Sequence, residues 1–406
     1  MGAERHKGDQ STLRASNRRR VLNYVRRLGP VSRSQLAKLT GLSAAAISQI
    51  TAALIEEGLL VERSFGEAGA AGGRRPILLA TNYAAYYSVG IKLREDRLEA
   101  VLTDLSTRVL AHMTASLEDR SPENVAAQVA SACRRLFEDR NVRQENVVGV
   151  GIGLSGVIDA DRGIAVHVPL LGWRNVPISQ YVAEQTGLPA FVDNDVNAFA
   201  AAERLFGHGK NARNFLVVAV GRGVGGALVV NGEIYRGRNG GAGEFGHNIV
   251  VPNGRRCSCG RLGCLEAYTS EPALVSQFVE RHPEHAGITI DELVHLANTG
   301  HRTARSILSD AGRLLGTHLS YLVNAFNPEL IIFGGEAARL GTVYFDPLRE
   351  TMRALVFDYA GHDLPFIVIP WYDDDFTPWA RGAASLAAQY AFDTGSLHHL
   401  KGELKR

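Results

Sequence analysis

Long apolar runs are missing from this sequence. No stretch of 18 or more apolar residues occurs, which excludes a membrane-spanning helix. The first twenty residues, MGAERHKGDQSTLRASNRRR, lack the apolar middle of a signal peptide. The chain is therefore expected in the cytoplasm, without membrane insertion, where thiols stay reduced. Internal repeats and low-complexity segments are absent too. Cysteine is scarce, at four residues in 406, yet three of the four fall within eight positions, Cys257 to Cys264. Net charge is nearly absent, at +2, but it is unevenly spread. Residues 1–80 hold 13 Lys and Arg against 6 Asp and Glu, which leaves the remaining 326 residues at −5. A basic N-terminal module on a mildly acidic body suits a polyanionic partner for the module alone. Hydrophobic residues at 45% and charged residues at 21% supply a full-sized globular core, and the length implies two or three domains.

Residues 17–60 read as three helices. NRRRVLNYVRRLG sets Val21, Leu22, Val25 and Leu28 at helical spacing and stops at Gly29-Pro30. Ser32 followed by Gln35 is a capping box that opens SRSQLAKLTG, with Leu36 and Leu39 inside and Gly41 at its end. Ser43 is the N-cap of the third helix, whose inner stripe is Ile47, Ile50 and Leu54 and which Gly58 closes. Two short helices joined by a tight turn make a helix-turn-helix. The outer face of the second carries Ala44, Ala45, Ser48, Gln49 and Ala52, small and polar enough to enter a major groove. Ser43, Ala44, Ser48 and Gln49 are the expected contacts to double-stranded operator DNA. LLVERS and RRPILLAT read as strands around FGEAGAAGGRR. That is a wing, and Arg74 and Arg75 close it with charges suited to phosphate or minor groove.

From Asn82 the texture changes. Apolar strand-like runs such as YYSVGIKL, LEAVLTDL, VVGVGIGLSG, NFLVVAVG and LIIFGG alternate with helical patterns, the signature of an α/β body with mixed sheets. Several strands end in Gly-rich turns, where backbone amides can approach a ligand. The cysteine cluster then finds a chemical reading. Thiolate and imidazole are the ligands zinc prefers, and His247, Cys257, Cys259 and Cys264 complete a closed set of four for one structural Zn²⁺ per chain. The rival is a redox switch, because Arg255, Arg256 and Arg261 beside the thiols could lower their pKa values. Cys133, alone in a helical pattern, reads as packing.

The string GEFGH…CSCGRLGCLE resembles the signature of the ROK family, named for repressors, open reading frames and sugar kinases. Further motifs follow in family order: GLSGVID (153–159) is similar to the sugar-side loop, VDNDVNAFAAAE (192–203) to the catalytic-aspartate segment, and NPELIIFGGE (327–336) to the late strand near the nucleotide. With its winged helix the chain resembles the branch of xylose, glucose and N-acetylglucosamine regulators. The resemblance implies a two-lobed, actin-like (sugar kinase/Hsp70-type) fold. The expected boundaries are a basic, disordered tail at 1–16, a winged helix at 17–81, a smaller α/β lobe from 82–196 plus 376–406, and a larger lobe with the zinc loop at 197–375. It also implies a sugar or sugar-phosphate effector held by Gly156, Asn194, Asp195, Glu244, His247 and Glu266, with the family's catalytic aspartate falling on Asp195. Glu244 and Glu266 bracket the zinc ligands, so a metal there would fix both acids toward one ligand. A homodimer or homotetramer is expected, and some members answer to a sugar-transport protein.

One departure decides between regulator and enzyme. A kinase of this family needs Asp-x-Gly-x-Thr after its first strand. Here SVGIKLRED puts Lys92 at the acid, Arg94 at the glycine and Asp96 at the threonine, while Arg222 replaces the usual threonine of the second loop VGRGVGG. Phosphoryl transfer rests on positioning and charge neutralisation, so no catalysis is expected and Asp195 survives as a vestigial base. The expected function is a sugar-responsive repressor. The alternatives are a bifunctional sugar kinase with a DNA-binding arm and a zinc-thiol redox sensor.

Overall fold

The computed structural model describes residues 10–65, 75–357, 363–370 and 377–394. The chain divides into two compact units, one running to Phe206 and resuming at Thr377, the other spanning Gly207–Phe376. The expected lobe boundary at 196/197 thus moves to the end of a helix that begins at Asp195. Cutting there would sever that helix from the sheet it follows.

The first unit opens with α1 (Gln10–Leu28), β1 (Val31–Ser32), α2 (Arg33–Thr40), α3 (Ala44–Glu56), β2 (Leu60–Phe65) and β3 (Ile77–Thr81). Residues 10–16, expected in a disordered tail, are helical. The local signals act as the sequence implies. Ser32 and Gln35 form a reciprocal capping box, Gly41 closes α2 at φ 70°, and the Ser43 hydroxyl caps α3 through the Ala46 amide. Helices α2 and α3 meet at 116°, and β1, β3 and β2 form a small antiparallel sheet beside them. Val21, Leu22, Val25, Leu36, Ile47 and Leu54 are buried, but Leu28 and Leu39 are 54% and 42% exposed. Leu28 lies in the last turn of α1, past the packed surface. In α2 the inner place goes to Thr40, whose hydroxyl bonds back to the Leu36 carbonyl.

The rest of this unit is built on a five-stranded sheet of β4 (Tyr87–Leu93), β5 (Arg97–Asp104), β6 (Val109–Ser116), β7 (Val147–Leu154) and, beyond a small hairpin sheet of β8 (Val157–Asp159), β9 (Ile164–Val168) and β10 (Trp173–Val176), β11 (Ala190–Asn194). Its order is β11-β7-β4-β5-β6, with β4 to β6 antiparallel and β7 and β11 parallel. Helices α4 (Pro122–Arg140), α5 (Ile178–Thr186) and α6 (Asp195–Leu205) come from the same stretch.

The second unit contains β12 (Phe215–Val220), β13 (Val224–Val230), β14 (Glu233–Tyr235), α7 (Glu266–Thr269), α8 (Glu271–Arg281), α9 (Ile290–Asn298), α10 (Arg302–Phe326), β15 (Leu330–Gly334), α11 (Gly341–Leu355) and β16 (Phe366–Val368). Its sheet runs β14-β13-β12-β15-β16, again three antiparallel strands followed by two parallel ones. The same five-strand plan is therefore built twice, although no repeat is visible in the residues. Tyr344, Phe278 and Phe333 fill the core of this unit.

The chain returns to the first unit as α12 (Thr377–Thr394). This helix lies on β4 and β7 without a side-chain layer between. A Cβ built on Gly90 would stand 1.9 Å from the Ala380 carbonyl oxygen, and one on Gly151 would stand 1.8 Å from that of Ala383. Only glycine permits that approach. Among the described residues no single helix is long and apolar enough to cross a membrane.

Candidate functional site: a nucleic-acid face, a buried ion pair and a metal-ligand loop

The face expected to read DNA lies on α3. Its apolar stripe of Ile47 and Leu54 turns inward, and Ser43, Ala44, Ala45, Ser48, Gln49 and Ala52 are exposed together. Ser43 spends its hydroxyl on the cap, so its role here is to start the helix. Ser48 and Gln49 are the polar groups on the face able to reach base edges. Arg75 is exposed, and Arg74 lies outside the described residues.

A second cluster sits where β4, β7 and α6 converge. Asp195 is the first residue of α6, and its Oδ1 accepts from the Val196 amide at 2.9 Å. Its Oδ2 accepts from the Ser155 hydroxyl at 2.6 Å and from the Lys92 ammonium. Lys92 is only 4% exposed, touches Ser155 at 3.2 Å and lies 5.8 Å from the Trp379 ring centroid. The position expected to be a lost phosphate loop thus holds a buried cation paired with Asp195. Both carboxylate oxygens of Asp195 are thus engaged by donors of its own unit. Arg94 joins Arg97 on Glu99, the residue paired with Lys92 across β4 and β5, at 3.0 and 3.1 Å. Asn194 caps α6 through the Val196 amide and donates to the Gly156 carbonyl at 3.0 Å. Of the six residues expected to hold a sugar, Gly156, Asn194 and Asp195 therefore share one corner of the first unit. Glu244, His247 and Glu266 belong to the second.

In that second unit His247, Cys257, Cys259 and Cys264 come together, with their four ligand atoms all within 4.8 Å of one another. Two of the edges can be compared with a metal site. Cys259 Sγ to Cys264 Sγ is 3.7 Å, and Cys257 Sγ to His247 Nδ1 is 3.6 Å. A zinc–sulfur bond of about 2.3 Å in a tetrahedron gives an edge of about 3.8 Å, so the cage has the size of one such ion. The thiols are free and too far apart to be disulfides. Burial pushes the Cys257 thiol up to about 12 and raises Cys264 as well. At Cys259 burial is outweighed by donation from Arg261, Cys257 and Cys264, which brings its thiol down to about 7. Without a cation, one of the three thiols is poised to ionise. A divalent cation lets all three do so.

Glu266 follows this cage, and its two carboxylate oxygens are engaged inside the unit. Oε1 accepts from the Ser258 hydroxyl at 2.7 Å and from the Cys257 thiol at 3.4 Å, while Oε2 accepts from the Val224 amide at 3.1 Å. Glu266 therefore ties the metal-ligand loop to β13. Glu244 keeps a side chain 38% exposed, 3.8 Å from His247 Nε2. With Nδ1 on the cage side, that imidazole can hold a metal and still face Glu244. The glycine turn between β12 and β13 meets carboxylates. A Cβ on Gly221 would lie 2.3 Å from Glu336 Oε2, and one on Gly223 would lie 2.9 Å from Glu266 Oε2.

Ser155, Ser258 and Glu336 escaped the sequence reading, and Lys92 was read only as a substitution. The available signal was Lys92 itself, a charged residue inside an otherwise apolar strand. A buried ammonium requires a carboxylate partner.

Residues 88–390 match the model of the ROK family, and residues 14–61 match one for winged helix-turn-helix DNA binding. The xylose repressor of Bacillus subtilis (strain 168) is 31% identical over 354 residues, covering 87% of this chain and 91% of its own. The DNA-binding transcriptional dual regulator NagC of Escherichia coli (strain K12) is 28% identical over 373 residues, at 90% and 91% coverage. Among solved structures, a ROK family transcriptional regulator homologous to E. coli MLC superposes with a TM-score of 0.84 at 28% identity, over 96% of this chain and 100% of that one. A ROK family glucokinase from Streptomyces griseus, in complex with glucose and AMPPNP, gives 0.64 at 28% identity, over 75% and 99%.

The ion pair makes a prediction of its own. Lys92→Met leaves a carboxylate half-buried beside Ser155 and should cost about 3–5 kcal/mol, read as a fall in the urea midpoint. Asp195→Asn in the same chain removes the stranded charge, so the double variant should lose less than the sum of the two single ones. Strict additivity would mean that the two groups do not depend on each other.

Proposed function

The chain belongs to the ROK family, and from that premise we propose that it is a DNA-binding repressor released from its operator by a sugar or sugar phosphate. The observation that carries the reading is the Lys92–Asp195 ion pair, in a chain that also presents the exposed face of α3. A body of sugar-kinase type has its base neutralised, and it is joined to a DNA-reading module. The xylose repressor and the dual regulator named above support the assignment, and work on operator DNA suits a cytoplasmic protein.

The site is read as follows. Asp195 accepts a hydrogen bond from an effector hydroxyl, while Asn194 and Gly156 shape the loop beside it. Glu244, His247 and Glu266 are the residues of the second unit read as sugar-side groups. Planar carboxylates and amides suit a polyol because they pair with adjacent hydroxyls. The cation in the His–Cys₃ cage is read as zinc, one per chain. It supplies a structural staple: His247 Nδ1 and three thiolates would hold it, and the loop and Glu266 would be fixed in place. The protein acts as a homodimer on a pseudo-palindrome, two winged helices reading half-sites spaced by whole helical turns. The chain is read as carrying out no phosphoryl transfer. Lys92 stands on the base, and the carboxylates of Glu336 and Glu266 stand at the glycine turn where phosphates would lie.

A thermal-shift screen of D-xylose, D-glucose, N-acetylglucosamine and their phosphates should reveal one compound that raises the melting temperature. The same compound should weaken binding to operator DNA, while Asp195→Asn should need roughly ten- to a hundredfold more of it. Replacing Gln49 should change sequence preference, whereas replacing Arg75 should weaken all sequences alike. A compound that stabilises the protein yet leaves operator affinity untouched at every concentration would overturn the reading.

Metal removal supplies a separate check. Purified protein should carry about one zinc per chain. After chelation, alkylation near neutral pH should mark Cys259 first, as the exposed thiol brought down to about 7, and restoring zinc should protect it. Peroxide-driven operator release from zinc-loaded protein, without sugar, would favour a redox sensor instead.

A further inference from the structure

The winged helix does not hang from a linker. Val21, Leu22 and Val25 of α1 share one buried cluster with Leu205 of α6 and with Ala391 and Phe392 of α12. Two side chains of α1 also bond to the last turns of those helices. Asn23 donates to the Phe392 carbonyl at 2.9 Å, and the Arg26 guanidinium donates to the Leu205 carbonyl. Arg26 also lies over two rings, 5.8 Å from the centroid of Phe206 and 5.4 Å from that of Phe392. These rings themselves meet edge to face at 6.0 Å. Burial, with Arg204 nearby, pulls the Arg26 guanidinium down to about 10, as expected of a cation taken out of water.

The opposite ends of these helices carry the ion-pair cluster. α6 begins at Asp195 itself, and Trp379 near the start of α12 lies beside the Lys92 ammonium. Eleven residues of α6 span about 16 Å at 1.5 Å per residue. Along that length the two helices are locked together. A Cβ on Gly382 would stand 3.0 Å from the Phe199 amide nitrogen, and Arg204 pairs with Asp393 at 3.7 Å. α12 in turn rests directly on Gly90 and Gly151 of the sheet. A close-packed pair of helices without a compressible layer transmits a displacement from end to end.

We propose that Arg26 is the residue through which the state of the Asp195 cluster reaches the DNA-binding module. A shift at the start of α6 or α12 is delivered to α1 where Arg26 grips Leu205, Phe206 and Phe392. This rests on the reading that the effector binds at Asp195, and it adds the route by which binding would be felt. Arg26 touches neither effector nor DNA in this account. It is a positioning residue, and its signature is the loss of communication with both ends intact.

Hydrogen exchange on the full chain tests this without any sugar. Asp195→Asn weakens the contact at the head of α6. Exchange should then rise roughly tenfold or more at residues 202–206 and also at residues 21–28. With Arg26→Met in the same chain, the rise at 202–206 should persist and the added response at 21–28 should vanish. Arg26→Lys keeps the charge and one donor, so it should restore part of that response. Should Arg26→Met fail to fold by circular dichroism, Arg26→Lys carries the comparison, with a smaller response at 21–28 than the Arg26 chain. An unchanged 21–28 segment after Asp195→Asn alone, or a full response there in the Arg26 variants, would sink the proposal. The effector reading fails by a different sign, the absence of any stabilising sugar in the thermal screen.

Discussion

A single buried charge pair organises the first unit. Lys92 comes from the centre of a sheet and Asp195 from the head of a helix 103 positions later. Either group left without the other would be a charge without its partner in a place largely closed to water, which is heavily penalised. Together with Ser155 they satisfy each other, and they fix where β4, β7 and α6 meet. The consequence is chemical as well as structural. In the function proposed above, the carboxylate held by this ammonium serves an effector as a hydrogen-bond acceptor.

The DNA-binding module was largely legible from its residues because its signals are local. Ser32, Gln35, Gly41 and Ser43 each act within one helical turn, and all four behave in the fold as their chemistry dictates. Leu28 and Leu39 show the limit. Helical spacing says which residues share a face, but not where the neighbouring surface ends. The strands of the two main sheets were legible as apolar runs, except β6, whose outward residues alternate polar along an edge, and β14 and β16, which are only three residues long. The helix α11 was obscured by Pro347, which lies inside it. The shared five-strand plan of the two units leaves no repeat in the residues, because topology constrains only burial and turn positions.

The site was half legible. The cysteine and histidine set was readable from ligand chemistry alone, and the four residues do converge. The contacts of Lys92 with Asp195, and of Glu336 with Gly221, link residues more than a hundred positions apart and carry no local pattern. Glu266 shows how a correct neighbourhood can hide a different task. It sits beside the metal-ligand loop as expected, but in this structure it ties that loop to β13. The carboxylate that might have been spent wholly on a ligand is part of the scaffold that holds the others.

The central claim is that the Lys92–Asp195 pair makes this body a sensor and not a catalyst. Its most direct test is to incubate the wild-type chain with ATP, Mg²⁺ and the sugar that stabilises it, and to look for sugar phosphate by mass spectrometry. The account predicts none over the uncatalysed background. Steady formation of sugar phosphate that disappears in Asp195→Asn would show that the carboxylate still works as a base and would contradict it.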